Sequence, residues 1–139
     1  MKTHHAEQGY TLLEILISLM ILALGLLGLA GLQMQGVRDN HSSLLRSQAT
    51  FLAADILDRM QANRAQALDG EYDVDLGDAP SSSGIIQTDL VQWRSAIATA
   101  LPQGDGSIEV DDGTATIVIR WQDVSAEGNA TQFRTDTRL

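Results

Sequence analysis

From Leu12 to Leu32 the chain reads LLEILISLMILALGLLGLAGL, and its only ionisable residue is Glu14. An apolar run of roughly 20 residues matches the hydrocarbon thickness of a bilayer when helical. Ahead of it stands a short polar leader, MKTHHAEQG, with Lys2 and the free amine; after it, Arg38 is offset at once by Asp39. Positive charge before the span favours a cytoplasmic N-terminus, although Glu7 weakens the bias. The expectation is a single-pass inner-membrane protein with residues 33–139 outside the cytoplasm. A cleaved secretory signal fits less well. Its best small-residue site, Ala23-Leu24-Gly25, would leave Leu26, Leu27, Leu29 and Leu32 at a new, wet N-terminus. A lipoprotein site fails outright, because Leu29-Ala30-Gly31 is followed by Leu32 where a lipid-bearing Cys is required.

The remaining composition narrows the function classes. A length of 139 residues allows one ordinary domain. The formal charge of −9 repels a phosphate backbone, and the basic residues Arg38, Arg46, Arg59, Arg64, Arg94, Arg120, Arg134 and Arg138 are scattered, which argues against nucleic acid as a ligand. There is no Cys, so thiol nucleophiles, thiolate metal sites and disulfides are excluded. His4 and His5 lie in the leader, and His41 has no second His or activating motif near it. No enzyme, cofactor or metal is expected from such a set; the expectation is a structural or interaction protein.

The junction Gly9-Tyr10-Thr11-Leu12-Leu13-Glu14 sets a glycine directly before an aromatic residue, with an acid one helical turn later, at the mouth of the apolar run. This resembles the processing site of type IV prepilins. The resemblance implies a leader over residues 1–9, cleavage between Gly9 and Tyr10 by a prepilin peptidase, and methylation of the new Tyr10 amine. The segment from Gly25 to Ala67, GLLGLAGLQMQGVRDNHSSLLRSQATFLAADILDRMQANRAQA, is similar to the PilV group of minor pilins, which are low-copy pilus subunits. Two departures stand out. Tyr10 occupies a position where Phe is commonest, and the paired C-terminal cysteines of many major pilins are absent. The resemblance implies an α+β, pilin-like fold: a long N-terminal helical spine and a small antiparallel sheet as head.

The sequence supports that division. Residues 10–32 form the membrane or filament-core segment, and residues 33–68 its amphipathic continuation, where Leu45, Ala49, Leu52, Ile56 and Met60 recur at helical spacing. No proline interrupts residues 10–68, so one continuous helix of roughly 88 Å is expected at 1.5 Å per residue. Asp55 and Arg59 stand at i,i+4 and pair on what reads as a solvated face. Gly25, Gly28 and Gly31 recur every third residue, each costing about 1 kcal/mol of helix stability relative to alanine. Close helix packing answers that cost, as does local unwinding; the resemblance supports the second.

Residues 69–139 are expected to form an acidic α+β head. DGEYDVDLGDAPSSSG reads as a loop with a short extended piece at Tyr72, Val74 and Leu76. Leu90, Trp93, Ile97 and Leu101 predict a helix over residues 89–101, with Thr88 as N-cap and Pro102 as stop. Ile108 and Val110, then Asp112-Gly113, then Ile117, Ile119 and Trp121 predict a hairpin with a type I′ turn. Phe133, Thr135, Thr137 and Leu139 alternate as a third strand. Asp69, Glu71, Asp73, Asp75 and Asp78 invite a calcium reading, but Val74 and Pro80 stand where an EF-hand needs glycine and glutamate, so a solvated acidic loop is expected.

Glu14 is the charge that most needs a reason, since a carboxylate within a membrane helix is costly and normally paired. Within one helix it can answer the Tyr10 amine. The resemblance implies instead that it answers the amine of a neighbouring subunit during assembly. The expected function is therefore that of a minor pilin promoting type IV pilus assembly at the filament tip. Its implied partners are other minor pilins, the major pilin, the peptidase, the assembly platform and a tip adhesin. A type II secretion pseudopilin and a helix-anchored adhesin or ligand-binding module are the alternatives.

Overall fold

A computed structural model describes residues 8–123 and 130–139. Residues 1–7 of the expected leader lie outside the described residues. The elements run α1 (Gln8–Ala62), α2 (Arg64–Leu68), α3 (Gly84–Ala100), β1 (Asp105–Asp111), β2 (Thr114–Gln122) and β3 (Ala130–Arg138). This is the α+β, pilin-like arrangement that the sequence predicts: a long N-terminal helix and a small antiparallel sheet. The chain divides into two compact units, Met1–Asp39 and Asn40–Leu139.

The first unit is a stretch of α1 whose large apolar side chains, from Leu12 to Val37, are all exposed. From Leu19 to Leu32 no polar side chain interrupts them, and the helix is long and apolar enough to cross a membrane.

The second unit is built around a core. From α1 come Leu45, Ala49, Ala53, Ile56 and Met60; from α3 come Ile86, Leu90, Trp93 and Ile97. The sheet has strand order β1-β2-β3, with both pairings antiparallel, and β2 faces inward with Ala115, Ile117, Ile119 and Trp121. Alternation in β2 thus sorts its residues by face, as the period of a half-buried strand requires. The predicted stripe on α1 holds with one change. Leu52 is only half-buried and Ala53 takes the core position. Leu52 contributes its carbonyl instead, which accepts Trp93 Nε1–H at 2.9 Å and fastens α3 to α1.

Two boundaries differ from expectation. The first is the end of α1: the helix stops at Ala62, and Asn63 leaves helical geometry at φ −114° and ψ 43° before α2 begins. Its side chain donates to Tyr72 Oη at 2.9 Å and to the Arg59 carbonyl at 3.3 Å, a local competition typical of Asn. The second is the start of α3, which opens at Gly84 after Ser83 rather than at 89. Ile86 extends the buried stripe one turn upstream of Leu90, and Thr88 lies inside the helix, returning its hydroxyl to the Gly84 carbonyl at 3.1 Å. The Tyr72 to Leu76 segment is the expected loop with a short extended piece, and it makes an isolated antiparallel bridge, Val74 with Ile108.

The β1–β2 turn is the predicted one. Asp112 and Gly113 have φ of +44° and +71°, the left-handed pair that a type I′ turn requires, and Asp111 faces Thr114 across it. Gly106 serves a different need. A Cβ there would lie 2.5 Å from Trp93 Cη2 and 2.8 Å from Ile97 Cδ1, so the bare backbone of β1 is what admits the indole.

Candidate functional site

The residues singled out at the N-terminus all lie on α1. Gly9 and Tyr10 are in its first turn, and Glu14 follows one turn after Tyr10. Glu14 is exposed, between two shallow depressions: one lined by Thr11, Ile15, Ser18, Leu19 and Leu22, the other by Leu13, Ile17 and Ser18. Among the described residues it forms no ion pair. A carboxylate on so apolar a surface is costly in a membrane helix and calls for a partner. Gly25, Gly28 and Gly31 are helical, and a methyl group added at any of them would meet nothing within 4 Å.

The second unit holds a polar cluster that sequence reasoning missed. Arg59 and Asp55 do pair, Nε to Oδ2 at 3.2 Å. Yet Arg59 also reaches α3, where Nη1 lies 3.1 Å from Asp89 Oδ1 and 3.0 Å from Gln92 Oε1. Asp89, only 7% exposed, accepts the Tyr72 hydroxyl on its other oxygen at 2.8 Å, and Tyr72 in turn accepts from Asn63. Each buried polar atom along this chain is answered, which is the condition for keeping a charge inside a core. Burial pushes the Tyr72 phenol up to about 12, with the Asp89 hydrogen bond adding to the rise. For Arg59, burial acts to lower the pKa but is outweighed by the Asp89 hydrogen bond and the charge of Asp55, leaving it above its ordinary value. A shallow hollow lined by Leu52, Val91, Gln92, Ser95 and Thr99 lies beside Gln92, while the hydrogen bonds of the cluster lock α1, α3 and the Tyr72 segment together. A signal existed in the sequence: Asp89 stands four residues before Trp93 and eight before Ile97, on the core side of the helix, a place where an unpaired acid is not tolerated.

The acidic loop is held by main-chain contacts. Arg94 on α3 donates to the carbonyls of Asp75 and Asp78 and, at 2.9 Å, to that of Gly106, while its Nε lies 3.6 Å from Asp105 Oδ1. Asp105 Oδ2 accepts from Gly77 N at 2.6 Å, and Asp73 Oδ1 from Val110 N at 2.9 Å. Burial raises the Asp73 carboxyl above its usual range against the opposing pull of that Val110 bond, with Glu109 and Asp75 adding to the rise. A hollow lined by Asp73, Asp75, Asp78, Ser81, Ile108 and Glu109 lies here, but among the described residues no three carboxylates converge to hold a metal. Asp111 and Asp112 are occupied with the hairpin turn.

Comparison with known proteins bears on the N-terminus alone. Residues 4–30 match the family model described as the prokaryotic N-terminal methylation motif. No curated protein and no solved structure matches the chain. The matched stretch contains the Gly9-Tyr10 junction, Glu14 and most of the apolar run, and it ends before the second unit begins. A prepilin-type motif at the start of an apolar, membrane-length helix, followed by a small antiparallel sheet, indicates a type IV pilin-like or pseudopilin protein; it fits a membrane anchor and implies processing by a prepilin peptidase and assembly with pilus components.

Proposed function

We propose that this protein is a minor pilin of the PilV type, which promotes type IV pilus assembly at the filament tip and thereby supports twitching motility and adhesion. The observation that carries the reading is the methylation motif at residues 4–30, placed on the mouth of an exposed apolar helix. The likeness of Gly25 to Ala67 to PilV-type subunits favours the pilin over the pseudopilin. In this reading the peptidase cuts between Gly9 and Tyr10 and the Tyr10 amine is methylated. Glu14 then answers the amine of a neighbouring subunit, and the strip of Gly25, Gly28 and Gly31 loosens or packs closely as the helix leaves the membrane. The N-terminus begins in the cytoplasm, the head in the periplasm, and the assembled subunit ends on the cell surface. Deleting the gene in its host and scoring surface pili, twitching and type II secretion together tests this. Lost pili with intact secretion is the expected result; lost secretion with intact pili selects the pseudopilin.

A further inference from the structure

The two edges of the sheet differ. The outer edge of β1 is covered: Val74 exchanges both backbone hydrogen bonds with Ile108 at 2.9 Å, and Asp73 takes the Val110 N–H. Along β3, no described residue bonds the outward backbone. The direction of those groups follows from the ends of the strand. Leu139 N donates to the Gly113 carbonyl at 3.0 Å, and N–H direction alternates along a strand, so Thr137, Thr135, Phe133 and Thr131 donate into β2. The Asp112-Gly113 turn gives the same parity, because Asp111 and Thr114 close it and leave Ala115 to exchange bonds with Thr137. Gln132, Arg134, Asp136 and Arg138 therefore turn both N–H and C=O away from the sheet. The edge is nine residues long, its register is unbroken from Ala130 to Arg138, and it contains no proline. Such a strand is a template for one more strand.

Charge selects the occupant. The exposed side chains of this edge include Arg134 and Arg138, with Arg120 directly across from Gln132 on β2. The one acid, Asp136, is already engaged by Thr116 Oγ1 at 2.7 Å and by Arg134 at 3.2 Å, which together hold its carboxyl below the usual range. The other edge of the sheet carries Glu109 and Asp111 on β1, with Asp73 bonded to it and Asp75 and Asp78 in the adjoining loop. We propose that the open edge of β3 accepts an extended segment of a partner protein bearing acidic side chains at alternate positions, added to the sheet as a fourth strand beside Arg134 and Arg138. The inference stands on the sheet and is independent of the proposed function.

The test uses the full chain in detergent micelles and a fluorescent, end-blocked peptide of sequence Thr-Glu-Val-Glu-Val-Glu-Thr, with Lys in place of Glu as its counterpart. The acidic peptide should bind more tightly, and binding should slow hydrogen exchange at the amides of Gln132, Arg134, Asp136 and Arg138. Gln132→Pro removes an outward N–H and no bond to β2; it should weaken binding by about ten-fold, the worth of one lost backbone bond left unsatisfied. Arg134→Glu with Arg138→Glu keeps the backbone and should reverse the preference between peptides. Absent or equal binding of the two peptides, or protection elsewhere than β3, overturns the proposal. Edge amides already protected without peptide, in a chain that sediments as a dimer, overturn it too and give the edge to a second copy.

Discussion

Tyr72 donates its hydroxyl to Asp89 Oδ2 at 2.8 Å within the core of the second unit, where both residues are buried. The bond joins the segment after α2 to α3, and Arg59 on α1 completes it from the other carboxylate oxygen. Tyr72→Phe keeps the ring and removes the bond, leaving one Asp89 oxygen and Asn63 Nδ2 without that partner. The expected loss is about 1 to 3 kcal/mol, the usual cost of a buried group left unsatisfied. Thermal unfolding of the full chain in micelles measures it.

The same residue gives a pH dependence. With the Tyr72 phenol at about 12 in the folded state against 10.0 in the unfolded chain, the folded state holds its proton more tightly. The stabilisation is therefore complete below pH 10 and is lost as the pH rises through 12. Unfolding midpoints followed across that window should fall for the wild type and fall less steeply for Tyr72→Phe. Parallel curves would remove Tyr72 as the source.

At the hairpin, Gly113 has φ +71°, and Gly113→Val forces a β-branched residue into the left-handed region. The expected destabilisation is at least about 1 kcal/mol. Gly113→Asn tolerates the same conformation and should recover much of the loss.

Gly106→Ala tests the close approach of β1 to α3. A methyl 2.5 Å from Trp93 Cη2 must displace the indole, with Ile97 blocking the alternative path. Overpacking of this kind costs about 1 to 3 kcal/mol. The Trp93 Nε1 bond to the Leu52 carbonyl should weaken with it, visible as a change in the near-ultraviolet circular dichroism of the tryptophans.

Glu14→Ala leaves the Gly9-Tyr10 junction untouched, so intact-mass analysis should still find a chain beginning at a methylated Tyr10, whereas Gly9→Val should block cleavage. In the host, the proposed function has Glu14→Ala insert and mature yet fail to join its partner pilins or restore piliation. Normal copurification and full piliation would leave Glu14 as a local charge at a helix end.

The elements readable from sequence were those in which one periodicity decides the outcome. Leu45, Ala49, Ile56 and Met60 mark the buried side of α1, and Ile117, Ile119 and Trp121 that of β2, because apolar spacing reports burial directly. Asp112-Gly113 was legible because so few residues tolerate its backbone. Long-range polar partners were not. Asp55 beside Arg59 is visible in the sequence, but Asp89, thirty residues away, becomes Arg59's partner only once α3 lies on α1. The break at Asn63 was hidden for the same reason, since its side chain leaves the helix to meet Tyr72. The open edge of β3 is likewise a property of strand order, which alternation within one strand does not contain. At the N-terminus the balance is reversed: the junction, the apolar run and Glu14 are all local, and the methylation motif lies where they stand.

Arg94 grips the acidic loop by the backbone oxygens of Asp75 and Asp78, and β1 by that of Gly106, and those groups are the same whatever residue bears them. The course of the loop is thus largely uncoupled from the identity of its exposed side chains. Asp75 and Asp78 can be exchanged for other residues without moving the grip, while Arg94 cannot. Diversification of the loop and permanence of its frame are compatible here, so this head can change what it displays without having to refold.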